Sequence, residues 1–236
     1  QAVARLAGDI KAQATAPPAP RDNPYKSLLP YSFSDASRFF GREASTRFLM
    51  GRITCPDDRC QFAVLHGASG VGKTSLVHAG VIPAMIEDKH LPLYVRLPPD
   101  APASFVANIK QALLSNLHTA PNLQQATLRD FLRQAADLLP EGKRLLLILD
   151  QFELFFDWPQ AERMAFVEVL AACLDDDLLR ASWLLVVRSD QLGTFSTFQP
   201  AIAQPFANTI VLPPLSREEA RAAIVEPARL DGVTVE

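Results

Sequence analysis

Apolar residues fall along this chain in two rhythms. Short, nearly unbroken apolar runs occupy 61–66, 92–97, 144–149, 182–187 and 209–212. The run at 144–149 is apolar on both faces, as a central parallel strand must be when helices cover it from both sides, and 182–187 repeats the arrangement. Between the runs the spacing turns helical. From 43 to about 53, Ala44, Phe48 and Leu49 recur at helical intervals, and the turn-forming stretch from Cys55 to Asp58 ends that helix. After Lys73, Leu76, Val77 and Val81 point inward from a second helix. The segments 103–117 and 124–139 predict two more, broken by Pro121 and Pro140, so that two helices separate the second strand from the third. Ser216 with Glu219 forms a capping box opening a helix from 217 to about 229. Strands alternating with helices predict an α/β fold of three layers.

Up to about residue 22 the pattern disappears. Ala16-Pro17-Pro18-Ala19-Pro20 cannot build a core and favours extended backbone, so 1–22 reads as a linker from an upstream domain. The chain begins with Gln1, and its last residues, Gly232 to Glu236, break off without a structural stop, which suggests a fragment of a longer protein. Its 23 basic and 26 acidic residues are dispersed, with no basic stripe to track a phosphate backbone, so nucleic acid is not the expected partner. No apolar run approaches a membrane span, and three cysteines do not make a paired secreted framework; a reducing cytoplasmic setting is expected. Cys55 and Cys60, even with His66, lack the spacing and fourth ligand of a zinc site. His66, His78, His90 and His118 show no mutual spacing and read as structural or exposed.

One segment carries sharp chemistry. Gly67-Ala68-Ser69-Gly70-Val71-Gly72-Lys73-Thr74 matches the whole Walker A pattern, with a strand before it and a helix after it. Glycines there let backbone N–H groups wrap phosphates at a helix N-terminus. Lys73 reaches the β and γ oxygens, and the Thr74 hydroxyl is placed to ligate Mg²⁺. ATP with Mg²⁺ is therefore the expected ligand. Asp150 ends an apolar strand, where a Walker B carboxylate would sit; an ordinary helix cap is its other reading. Glu153, three residues on, is a candidate general base or a solvated loop carboxylate. Arg188 ends another core strand and either senses γ-phosphate charge or pairs with Asp190 or Asp150.

The order of these motifs resembles the bacterial STAND class of signal-transduction ATPases, in particular the novel STAND NTPases. Asn23-Pro24-Tyr25-Lys26-Ser27-Leu28, Phe33 with Asp35, and Phe39-Phe40-Gly41-Arg42-Glu43 are similar to the family's leading segment. Gly70 to Pro83, with Ala79-Gly80, is similar to its extended Walker A helix. Leu149-Asp150-Gln151-Phe152-Glu153-Leu154-Phe155 resembles its Walker B, although Leu154 stands where the family has a second glutamate. Arg188-Ser189-Asp190 and Leu212-Pro213-Pro214-Leu215-Ser216 resemble its sensor and exit sequences. The resemblance runs from about Asn23 to the end.

That resemblance implies a parallel five-stranded P-loop sheet in the order 5-1-4-3-2, with the NTPase domain over 23–215 and a helical subdomain beginning at 216–236. It implies that the leading stretch from Asn23 to Glu43 packs against the nucleotide base, with Phe40, Gly41 and Arg42 joining Gly67, Ser69, Gly70, Val71, Gly72, Lys73, Thr74 and Ser75 as nucleotide contacts. It implies an ATP/ADP switch that self-associates on activation, between an upstream effector and a downstream sensor, in defence or stress signalling. Lys73, Asp150, Glu153 and Arg188 are the expected catalytic residues, with Thr74 and Asp150 on Mg²⁺. An AAA+-like remodelling enzyme, a P-loop kinase and a nucleotide-binding scaffold without hydrolysis stay open as alternatives.

Overall fold

The computed structural model describes residues 24–54, 61–96, 104–117, 126–199, 202 and 207–235. The expected linker over 1–22, Asn23, the turn with Cys55 and Cys60, Leu97, Ala103, His118, Pro121 and Gln124 lie outside them.

Five strands, β1 (Phe62–Gly67), β2 (Leu91–Arg96), β3 (Leu145–Asp150), β4 (Ala181–Arg188) and β5 (Thr209–Val211), form one sheet. The order is β2-β3-β4-β1-β5, with every neighbouring pair parallel, so the 5-1-4-3-2 arrangement is present. Consecutive residues of β1, β3 and β4 are buried because each face of the sheet has its own core. On one face Ala63, Leu65, Ile148 and Val186 meet α1 (Glu43–Thr54) and α2, a continuous helix made of Lys73–Ser75, Leu76–Val81 and Ile82–Glu87. On the other, Val64, Leu147, Trp183 and Leu185 meet α3 (Phe105–Leu117), α4 (Leu128–Asp137) and α5 (Gln160–Leu174). The result is a three-layer α/β fold.

Of the three apolar residues at helical spacing on α1, one faces the core. Phe48 is 59% exposed and Ala44 is also exposed, while Leu49, Met50 and Ile53 are buried. One side of α1 is fixed by α2: a Cβ on Gly80 would lie 2.5 Å from Thr46 Oγ1, so the glycine lets the two helices touch. The α2 backbone widens to π geometry over Leu76–Val81, around that contact. The helix α5 had no counterpart in the sequence reading. Two 3₁₀ segments, Phe152–Asp157 after β3 and Ser189–Phe198 after β4, are anchored by a shared aromatic cluster. Its ring centroids are 4.8 Å apart for Phe152–Phe155, 5.7 Å for Phe155–Phe198 and 5.2 Å for Phe195–Phe198.

The last helix, α6 (Arg217–Leu230), starts at the expected Ser216/Glu219 capping box. It folds back onto the leading segment. Arg38, closing the 3₁₀ turn Phe33–Arg38, donates to both carboxylate oxygens of Asp231 at 2.7 and 2.6 Å, with each side chain 1% exposed. Tyr25 donates its hydroxyl to the Ile224 carbonyl at 3.1 Å. Gly41, at φ +80°, lies so close to α6 that a Cβ would stand 2.3 Å from the Glu219 carbonyl oxygen.

Candidate functional site

The sheet order decides what meets at its carboxyl edge. Because β4 lies between β1 and β3, the loop after β1, the carboxylate ending β3 and Arg188 ending β4 converge on one rim. Ligands bind at this edge in open parallel sheets.

The rim begins at Gly67, where a Cβ would stand 2.8 Å from both the Leu212 carbonyl oxygen and Val71 Cγ1. No side chain fits between the root of the loop and the strand β5 exit. Gly70 and Gly72 have φ of +77° and +99°, with open space where a Cβ would be; their backbone angles, not crowding, call for glycine. These turns gather successive N–H groups ahead of the N-terminus of α2, an anion-binding concavity reinforced by the helix dipole. Lys73 Nζ donates to the carbonyls of Gly67 and Ala68 at 2.9 and 3.0 Å, which holds the ammonium over the loop. Burial lowers the Lys73 pKa, against the opposing pull of Glu153 and Asp150.

Across the rim, the Thr74 hydroxyl donates to Asp150 Oδ2 at 2.9 Å. Gln151, held at φ 56° in the left-handed region, turns the chain at once and donates its N–H to Asp150 Oδ1 at 2.9 Å. The turn brings Glu153 back to the cleft, where its Oε2 is buried with no hydrogen-bond partner. Arg188 lines the same cleft and forks onto Asp190, Nε to Oδ1 at 3.1 Å and Nη2 to Oδ2 at 2.7 Å. That pairing raises the Arg188 pKa and lowers that of Asp190.

The donor set suits one kind of metal. With its hydrogen given to Asp150, the Thr74 hydroxyl keeps its lone pairs for a cation. Among the described residues no three His, Cys, Asp or Glu side chains cluster as ligands. One hydroxyl beside one carboxylate fits Mg²⁺, which keeps most of its shell as water and phosphate oxygens.

These groups surround a cleft of about 510 Å³ lined by Ser69, Gly70, Gly72, Lys73, Thr74, Ser75, Asp150, Glu153 and Arg188. The sequence reading had brought those residues together. Part of the leading segment, which the resemblance places against the nucleotide base, lines the opposite wall: Ser27 to Tyr31, whose Tyr31 N–H donates to Ser75 Oγ at 3.1 Å. Arg96 and Gln151, joined by a 3.0 Å hydrogen bond, also line the cleft and carry no motif that marks them in the sequence. Phe40, Gly41 and Arg42 do not line the cleft. Arg42 touches the loop from behind, donating to the Val71 carbonyl at 2.9 Å, and borders a separate cavity of about 420 Å³ against α1 and α2. His66, buried, pairs with Ser189 at 2.9 Å, a structural contact between the ends of β1 and β4.

Residues 24–236 match the family described as Novel STAND NTPase 1. No curated protein matches the chain. Among solved structures it is similar to a Walker-type ATPase of Pyrococcus abyssi (TM-score 0.65, 13% identity, 89% of this chain and 63% of that one). It is also similar to the Aeropyrum pernix ORC2 protein in its ADPNP and ADP complexes (0.56, 19%, 88% and 55%) and to Cdc6p of Pyrobaculum aerophilum (0.51, 17%, 80% and 49%). At these identities the likeness is one of fold. The chain spans between 49% and 63% of the length of these three structures. Among the described residues no helix is long and apolar enough to cross a membrane.

Proposed function

The chain belongs to the Novel STAND NTPase 1 family of P-loop NTPases, and from that premise we propose that it is the ATP-binding, slowly hydrolysing switch of a larger signalling protein. The observation that carries the reading is the 2.9 Å contact between Thr74 and Asp150 at the head of the phosphate loop, which joins two motifs 76 residues apart. In this reading the backbone N–H groups from Ser69 to Thr74 and the Lys73 ammonium hold the β- and γ-phosphates. Thr74 and Asp150 hold Mg²⁺, which when bound neutralises charge on the phosphate oxygens. Glu153, with one carboxylate oxygen unpartnered beside the cleft, orients a water and accepts its proton. Arg188 reads the γ-phosphate, exchanging part of its bond to Asp190 for it.

A switch needs ATP and ADP to bind its two states differently. Ser27 to Tyr31 supply a means: they line the cleft, bond to Ser75, and belong to the same leading segment that clasps α6. Self-association on activation, an upstream effector, a downstream sensor, a cytoplasmic setting and a role in defence complete the proposal. DNA, present in the Drosophila ORC structure that shares this fold at 11% identity, is not part of it, since the chain carries a net charge of -3.

The test is thermal unfolding with and without saturating ATP and Mg²⁺. A ligand at about one hundred times its Kd stabilises the folded state by about 2.7 kcal/mol. The wild-type chain should show that shift and Lys73→Ala should lose it. An unchanged shift in the variant would remove the phosphate loop as the site.

A further inference from the structure

Asp150 receives one donor that the nucleotide motifs do not include. Tyr94, from the neighbouring strand β2, donates its hydroxyl to Asp150 Oδ2 at 2.9 Å, the same oxygen that accepts from Thr74. The Gln151 N–H takes Oδ1, so both carboxylate oxygens are held. The ring of Tyr94 is itself fixed, because His78 on α2 packs against it with centroids 4.2 Å apart. His78 follows Thr74 by four positions, which sets both on one face of the helix that carries the phosphate loop. Helix, β2 and β3 are thus tied together at one carboxylate.

We propose that Tyr94 is a positioning residue for the cation site, fixing the Asp150 carboxylate in the orientation that binds Mg²⁺ against Thr74. The proposal rests on the assignment of Thr74 and Asp150 to Mg²⁺ made above. The argument is one of pre-organisation. A carboxylate held only by its own chain rotates about its terminal bond, and a cation must then restrict it on binding. Tyr94 and the Gln151 N–H remove that rotation beforehand, and groups that orient a metal's ligands in this way contribute strongly to metal affinity.

The test is a Mg²⁺ titration of ATP-induced thermal stabilisation, with ATP in excess chelator as the metal-free reference. It compares the wild-type chain, Tyr94→Phe, Asp150→Asn and the double variant. Tyr94→Phe keeps the ring against His78 and deletes only the hydroxyl. It should raise the half-saturating Mg²⁺ concentration roughly tenfold, leave the metal-free ATP shift unchanged, and add nothing to the effect of Asp150→Asn. A half-saturating concentration equal to that of wild type, an equal loss with and without Mg²⁺, or an effect fully additive with Asp150→Asn would overturn the proposal. Should Asp150→Asn itself keep the wild-type Mg²⁺ response, the cation assignment falls, and the role of Tyr94 with it.

Discussion

Removing Asp231 should weaken the whole fold although the residue lies near the end of the described chain. Its carboxylate accepts two charge-assisted hydrogen bonds from Arg38, at 2.6 and 2.7 Å, and the side chains of both partners are 1% exposed. The Arg38 pKa is raised chiefly by that bond, against burial, which pulls the other way. In Asp231→Ala the guanidinium loses its carboxylate partner in a place that water does not reach. Breaking a buried pair from one side costs about 3–5 kcal/mol, because the remaining charge loses its main compensation, here the bond to Asp231 and not the weaker pull of Asp35. A typical domain has only about 5–15 kcal/mol in total. For a chain of this size each kcal/mol lowers the melting temperature by roughly 2–4 °C, so the variant should melt roughly 6–20 °C below wild type. Urea unfolding at neutral pH, extrapolated to water, reads the free energy directly. Replacing both partners with apolar residues of similar volume, Arg38→Met with Asp231→Leu, should recover most of the loss. A loss below about 1 kcal/mol for Asp231→Ala, the range of a solvent-exposed pair, would refute the claim that the clasp is buried and rigid.

Two further outcomes follow from the site and the core. Glu153→Gln should slow single-turnover ATP hydrolysis by roughly a hundredfold or more, with ATP binding retained in the thermal-shift assay; an unchanged rate would remove Glu153 as the base. His66, His78 and His90 all have pKa values lowered mainly by burial. Each therefore binds its proton more weakly in the folded chain than in the unfolded one. Their contribution is fully present above the unfolded value of about 6.5 and is lost as pH falls below it towards the folded values. The urea midpoint should drop between about pH 7.5 and about pH 5.5, and His78→Gln with His90→Gln should flatten that dependence; an equal slope in the double variant would contradict the assignment.

Much of this architecture is legible in the residues themselves. Strands such as Leu145–Asp150 announce themselves because a run buried on both faces cannot alternate, and the loop from Gly67 to Thr74 because its geometry admits few other sequences. The helix α5 was missed because Ala161, Ala165, Val169, Ala171 and Ala172 spread small or apolar residues around it and blur the stripe of Phe166, Val167, Leu170 and Cys173. Phe48 shows the opposite case: a large apolar residue at helical spacing lies on the exposed side of α1. Tyr94 reads as an ordinary residue of β2, since nothing local tells which neighbour its hydroxyl will find. The clasp between Arg38 and Asp231 spans 193 residues and is created by the fold, with no motif to mark it.

The aromatic cluster behind β3 and β4 divides the cleft into unlike halves. Phe152 and Phe155 bolt down the turn that carries Glu153, and Phe195 and Phe198 bolt down the one that follows Arg188, so both turns share a single foundation. Leu28 and Leu29, on the facing wall, are 100% and 69% exposed and have no such footing. On the proposed switch reading, the rim that carries Glu153 and Arg188 serves as the anvil, and the exposed Leu28–Leu29 stretch is where a nucleotide-dependent change of shape would fall.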